Sequence, residues 1–321
     1  MERGGGDWVE AVYRGKAVKS LNKPAGSSLF KPDVNGSRHL PMQIIESVQA
    51  MKQQAATWRA AGQSIALVPT MGALHAGQEA MIRAAAAKAD IVVVAAFVNP
   101  LQFAPNEIMA RYPRNPDEDR QMCEAAGATV FFGPAAEVVY PPGYSTYVSE
   151  EKLSKPLCGI SRPNHFRGVA TFITKLFNIV RPDQVYFGQK NAQRIAVVRK
   201  MIKDLDYDIE LMVVPTVRDA DGLAFGTRNY SFSANQRAES LSVSRALKKV
   251  NEMVANGVRN PDRLIAEATH ILGDCRQVRV IYVVVVNRDT MEPVREIELG
   301  KCLLAISVWV NEVRMIDNTL L

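Results

Sequence analysis

Four short segments hold residues whose types and spacing could do chemistry on an anion. In Pro69-Thr70-Met71-Gly72-Ala73-Leu74-His75-Ala76-Gly77-Gln78, Gly72 and Gly77 remove side-chain bulk, which lets backbone N–H groups approach a phosphate, and His75 adds a side-chain donor. Asn99-Pro100-Leu101-Gln102-Phe103 supplies two amides, each both donor and acceptor, which suits a substrate bearing hydroxyl and carboxylate groups. Phe187-Gly188-Gln189-Lys190-Asn191-Ala192-Gln193-Arg194 puts Lys190 at a helix start, where a cation sits poorly against the positive terminus unless an anion is present. Gly222-Leu223-Ala224-Phe225-Gly226-Thr227-Arg228-Asn229 reads as a mobile loop that could bring Arg228 onto a polyphosphate. Taken singly, the first segment also reads as a turn with a surface histidine, and the second as a structural turn.

The elements around these segments place them at strand ends. Short apolar strands over 65–68, 91–98, 128–132, 184–187 and 210–214 alternate with helices through Met81 and Ile82, over 117–126, 169–180 and 191–204. Ile44, Ile45, Val48, Met51, Ala55 and Trp58 recur at helical spacing until Gly62, predicting a first helix there. Such alternation indicates an α/β fold, a Rossmann-like parallel sheet over 41–218 covered on both faces, with ligands bound beyond the strands' carboxyl ends. After the turn chemistry of Asp219-Ala220-Asp221-Gly222, the pattern changes. Helices over 234–254 and 262–272 and strands over 278–286 and 303–310 predict a smaller, lid-like α+β domain over 219–321. Residues 1–40, rich in Gly, Lys and Ser, read as a flexible extension.

Composition narrows the class of protein. With 321 residues, 47% of them hydrophobic, the chain can bury a sizeable core, and its formal charge of +6 fits an acidic partner: nucleic acid, an anionic membrane or a small phosphorylated substrate. Basic residues are dispersed without interleaved aromatics, which argues against nucleic acid. No apolar run approaches the ~18 residues of a membrane span, and no secretory h-region stands near the start, so a cytoplasmic protein is expected. Cys123, Cys158, Cys275 and Cys302 are too scattered for a metal-binding spacing, and reduced thiols are the expectation.

In order along the chain, the four segments are joined by Tyr112-Pro113-Arg114-Asn115-Pro116-Asp117, Arg162-Pro163-Asn164-His165-Phe166-Arg167-Gly168-Val169, Ile179-Val180-Arg181-Pro182-Asp183, Val214-Pro215-Thr216-Val217-Arg218 and Arg314-Met315-Ile316-Asp317-Asn318. From about Ile44 to Asn318 the set resembles the pantothenate synthetases, the pantoate–beta-alanine ligases of the nucleotidyltransferase superfamily. The resemblance implies that ATP and Mg²⁺ activate the pantoate carboxylate as an acyl-adenylate and that the beta-alanine amine then forms the amide. It implies catalytic roles for His75, Gln78, Lys190 and Arg228. ATP would be held by Pro69, Thr70, Met71, Gly72, Gly188, Asn191, Val217, Gly226 and Thr227, and pantoate by Asn99, Gln102 and Arg194. No metal ligand from the protein is implied; a homodimer is.

The chain departs from the family's pattern inside the site. Gln78 stands where the family has a second histidine, Gln189 and Asn191 where it has acids, Arg194 where it has the glutamine that holds pantoate, and Gly226 and Thr227 where it has two serines. Phe225 replaces a methionine. A neutral bond from Gln78 in place of a charge-assisted one predicts a roughly tenfold slower reaction. These departures keep two alternatives open: the same chemistry on another acid or amine, or a weakly active or inactive nucleotide-binding homologue.

Overall fold

A computed structural model describes residues 41–103 and 109–321, so the flexible extension expected over 1–40 lies outside the described residues. Strand β1 is Gln43–Ile45, helix α1 Val48–Ala60, β2 Ile65–Thr70, α2 Ala76–Ala86, β3 Ile91–Ala96, α3 Pro116–Ala125 and β4 Val130–Phe132. Two single-turn helices follow, α4 Ala136–Val139 and α5 Cys158–Ser161, then α6 His165–Val180, β5 Gln184–Gly188, α7 Ala192–Asp204 and β6 Glu210–Val214. The remainder comprises α8 Ala234–Ala255, α9 Pro261–Gly273, β7 Val278–Asn287, β8 Cys302–Val310 and β9 Val313–Leu320.

The six-stranded sheet runs β1-β4-β3-β2-β5-β6 with every pairing parallel. Its central strands are apolar on both faces; Ile65, Ala66, Leu67 and Val68 are all fully buried, as a sheet covered by helices on both sides requires. From β2 the chain first builds outward through β3 and β4, then returns to place β5 on the other side of β2. The carboxyl ends of β2 and β5 therefore flank the switch point, where open parallel sheets leave a crevice. A second, antiparallel sheet, β7-β8-β9, packs with α8 and α9 around Leu247, Val250, Leu264, Leu272, Leu304 and Ile306. It also shares the larger core, because Val286, Met291, Leu303 and Ala305 join the cluster that contains Leu67, Phe187 and Val197.

Two expectations need correction. Ile44 and Ile45 do not open the first helix; they form β1, with Ile44 opposite Phe131, and α1 begins after Ser47, whose hydroxyl accepts the Ala50 N–H at 3.3 Å. Pairing at the sheet edge overrides a spacing that suited either element. The second is β9, which falls in a stretch read only as a motif. Arg314, Asp317 and Asn318 are buried there and break the apolar alternation that marks a strand. No described helix is long and apolar enough to cross a membrane.

One close approach fixes the floor of the cleft. A Cβ at Gly168 on α6 would lie 2.2 Å from the Leu101 carbonyl oxygen in the 3₁₀ turn Pro100–Gln102. The Gly168 carbonyl in turn accepts the Asn99 amide N–H at 3.0 Å. Gly168→Ala must push these backbones apart, and overpacking of this kind costs on the order of 1–3 kcal/mol. The urea midpoint of the variant is expected to fall accordingly; an unchanged midpoint would show that the contact relaxes freely.

Candidate active site

The turn after β2 is built from Gly72 at φ +75° and Ala73 at φ +48°. It is braced by Asp119 of α3, whose carboxylate accepts the N–H groups of Ala73 at 2.8 Å and Leu74 at 2.7 Å. Burial dominates over those bonds and raises the Asp119 pKa. Gly72 N–H donates to Thr70 Oγ1 at 3.4 Å, His75 N–H to Gln78 Oε1 at 3.1 Å and Gly77 N–H to His75 Nδ1 at 3.1 Å. The expected cradle of glycine N–H groups is thus spent on the turn itself. Gly72 serves the positive φ and does not line the cavity; what the turn offers an anion is side chains.

His75 and Gln78 form reciprocal caps at the start of α2. Because Nδ1 of His75 accepts from Gly77, the ring proton lies on Nε2. Burial first, and the Lys190 charge second, lower its pKa to about 4, so the ring is a neutral donor at pH 7. Gln78 spends its carbonyl oxygen on the cap and keeps its amide N–H groups for the cavity. The Phe225 ring covers His75, centroid to centroid 6.2 Å with 20° between planes.

Lys190 leaves the end of β5 and donates to the carbonyls of Phe225 at 2.7 Å and Ala224 at 3.3 Å. Gly226 makes room for it, since a Cβ there would lie 2.7 Å from Nζ. The glycine expected to loosen the loop therefore lets the lysine grip it. Burial, reinforced by Arg218 and opposed by Asp317, lowers the Lys190 pKa to about 8. Thr227 ties the same loop to the turn by donating to the Ala73 carbonyl at 3.2 Å. Asp317 of β9 binds Arg218 at 2.7 and 3.1 Å. Neighbouring Asn318 donates to the Gln189 and Lys190 carbonyls at 3.0 and 3.1 Å and accepts from Gln189 Nε2 at 3.0 Å. Gln189 is accordingly a docking residue for β9.

These elements surround one cavity of about 280 Å³. Pro69, Thr70, Met71, His75 and Gln78 line it from the turn, Gly188, Lys190, Asn191 and Arg194 from the start of α7, and Val217, Gly226, Thr227 and Arg228 from the loop. Gln102 lines it from the 3₁₀ turn. Asn99 does not; it is fully buried, with Nδ2 on the Gly168 carbonyl and Oδ1 accepting from Leu101 N–H and Tyr140 Oη at 3.2 and 3.0 Å. Its amide builds the wall that carries Gln102.

Sequence reasoning gave no role to several residues that shape this site. Asp119 is one of three acids in the first turn of α3, and no pattern marks it as the buried one. Arg162 and His165 both reach the Gln102 carbonyl, at 3.0 and 2.9 Å. That contact puts the His165 proton on Nδ1, and burial, then Arg162 and Arg194, hold its pKa well below 6.5. Tyr112, beside Thr227, Arg228 and Arg194, is raised by burial. The signal for Arg162, His165 and Tyr112 was their place in recurring motifs, which names a position without naming a task.

A parallel-sheet α/β protein with a cation-lined cleft across the switch point is the class that this fold and cavity define. The chain belongs to the pantoate–beta-alanine ligase family, whose model matches residues 43–320. It is 45% identical over 280 residues to the pantothenate synthetase of Thermotoga petrophila, covering 87% of this chain and 100% of that one. It is 44% identical to that of Moorella thermoacetica, over 87% and 99%. Among solved structures, pantothenate synthetase from Thermus thermophilus superposes with a TM-score of 0.82 at 35% identity, over 87% of this chain and 99% of that one. The Francisella tularensis pantoate-beta-alanine ligase complexed with beta-gamma ATP and beta-alanine gives 0.70 at 26%, over 87% and 97%.

The lowered Lys190 pKa has a sign that can be measured. Below about 8 the ammonium is charged, and above it the charge is lost. Calorimetric affinity for tripolyphosphate is expected to hold between pH 6 and 7 and to fall as pH rises through about 8. Lys190→Arg is expected to remove that fall; a limb that persists in the variant belongs to another group.

Proposed function

We propose that the protein condenses pantoate with beta-alanine to give pantothenate at the expense of ATP, through an acyl-adenylate. The observation that carries this reading is the convergence of His75, Lys190 and Arg228 on the cavity that Gln102 and Arg194 also line, in a chain of this family. A carboxylate oxygen of pantoate attacks the α-phosphorus of ATP, the bond to the bridging oxygen breaks, and pyrophosphate leaves with the electron pair. The beta-alanine nitrogen then attacks the acyl carbon, AMP departs, and the nitrogen loses its proton.

Charge neutralisation and positioning do most of the work in such a reaction. His75 donates from Nε2 to the phosphates, Lys190 meets the α-phosphate after exchanging its loop carbonyls for phosphate oxygens, and Arg228 grips the departing pyrophosphate. Asn191, whose amide makes no cap bond at the start of α7, faces the ribose with Gly188. Pro69, Thr70, Met71, Val217, Gly226 and Thr227 wall the nucleotide, and Gln102 holds pantoate. Mg²⁺ would accompany the nucleotide and supply further neutralisation of phosphate charge.

The change from the parallel sheet to a separate antiparallel sheet with its own core supports a division into a nucleotide domain over 41–218 and a lid-like part over 219–321, and the bonds from Lys190 to the Phe225 carbonyl and from Thr227 to the Ala73 carbonyl join the two across that line. Membership of the family also supports a homodimer and a cytoplasmic location; light scattering of the purified protein tests the first.

With ATP, Mg²⁺, pantoate and beta-alanine, the purified protein is expected to release AMP and form the amide. No AMP above the pantoate-free control would overturn the reading. The environment that keeps His75 neutral would keep an imidazole at position 78 neutral as well. Gln78→His is therefore expected to change turnover by less than the roughly tenfold that a charge difference would bring, measured as kcat under saturating substrates.

A further inference from the structure

The acid end of the cavity holds an unmatched donor beside an unmatched acceptor. Nε of Arg194 is buried with no hydrogen-bond partner, and among the described residues the guanidinium forms no ion pair. Oε1 of Gln102 is likewise buried and without a partner, so the two do not satisfy each other. Both also line an adjoining recess of about 20 Å³, whose walls include Val169, Phe172 and Ile173. Buried donors and acceptors are normally paired, and an unpaired pair in a cleft marks where a ligand makes the bonds. The donor calls for an anionic oxygen, the acceptor for a hydroxyl, and the recess for a compact aliphatic group.

We propose that Arg194 is the specificity-determining residue of the acid subsite. Its guanidinium holds the carboxylate of a short, branched hydroxy acid whose hydroxyl donates to Gln102 Oε1 and whose aliphatic body enters the recess. The acid is thereby recognised by its charge, where a glutamine would read only its hydrogen-bonding pattern. This rests on the function proposed above and adds a consequence for rates. Adenylation turns the carboxylate into a mixed anhydride, and the charge that Arg194 binds disappears from the acyl group as the bond forms. A contact stronger to the free acid than to the activated acyl group lowers KM and holds kcat down.

The test measures acid-dependent pyrophosphate exchange and calorimetric binding of pantoate and its neutral amide, for the wild type, Arg194→Gln and Arg194→Lys. Arg194→Gln is expected to raise KM for pantoate about tenfold, as a neutral bond replaces a charge-assisted one. Its kcat should be equal or higher, and it should lose the wild-type preference for the acid over the amide. Arg194→Lys should keep that preference, with an intermediate KM. A glutamine variant that keeps the wild-type acid-to-amide ratio, or that loses kcat at unchanged KM, overturns the proposal, as does a wild type that does not bind pantoate. If the wild type binds pantoate in preference to the amide, and Arg194→Gln abolishes that preference, yet no exchange occurs, the proposed ligase reaction falls and the role of Arg194 stands.

Discussion

The site depends on one buried carboxylate. Asp119 reaches from α3 across to the turn after β2 and takes both the Ala73 and the Leu74 N–H groups. Bonds of this charge-assisted kind contribute about 1.5–3 kcal/mol each, enough to hold Ala73 at a φ that side chains seldom adopt. With that turn fixed, His75 is forced to the cap position of α2, where its Nδ1 must accept from Gly77 and its Nε2 must face the cleft. The tautomer of the histidine thus follows from a carboxylate that has no direct part in the chemistry.

Around the turn, cations have been brought together with few acids. Lys190, Arg194 and Arg228 line the cavity, and among the described residues the one carboxylate that lines it, Asp317, is paired with Arg218. Burial disfavours the charge on His75 and on Lys190, which is why His75 is neutral and Lys190 is held to about 8. The protein answers part of this cost by giving Lys190 two loop carbonyls. On the function proposed above, a polyanion would answer it better, and the exchange would free the loop over 222–229 from one anchor while Thr227 keeps the other. Lys190 is thus placed to link binding to loop position.

Much of the frame was legible from periodicity. The strands over 91–96 and 184–188 and the helices that follow the site segments lie where apolar spacing put them, because each is buried on a face that the pattern records. β1 and β9 were not legible as strands. In β1 two isoleucines suit a helix or a strand equally, and pairing with β4 decides. In β9 the buried groups are polar, and their burial makes sense only once Arg218 and the Gln189 and Lys190 carbonyls are in place to meet them. In the site, residue type announced His75, Lys190 and Arg228. Asn99 and Gln102, three positions apart with the same amide, took opposite directions because only the fold decides which one faces inward.

The departures from the family's pattern fall into two physical kinds. Gln78 and Gly226 act through geometry and not through charge, since the amide completes the His75 cap and the glycine clears the path of Lys190 to the loop. Gln189 does likewise through the hydrogen bond that its side-chain amide donates to Asn318 Oδ1. Arg194 is of the other kind, because it introduces a fixed charge at a position where burial, and after it the Arg162 charge, lower its pKa against the opposing effect of Tyr112. Among the described residues none compensates it by an ion pair, and on the reading proposed above the compensating anion arrives with the ligand. A site that had drifted out of use would have no reason to keep a buried guanidinium beside an unmatched acceptor, when a swing to solvent or a neutral side chain would relieve both.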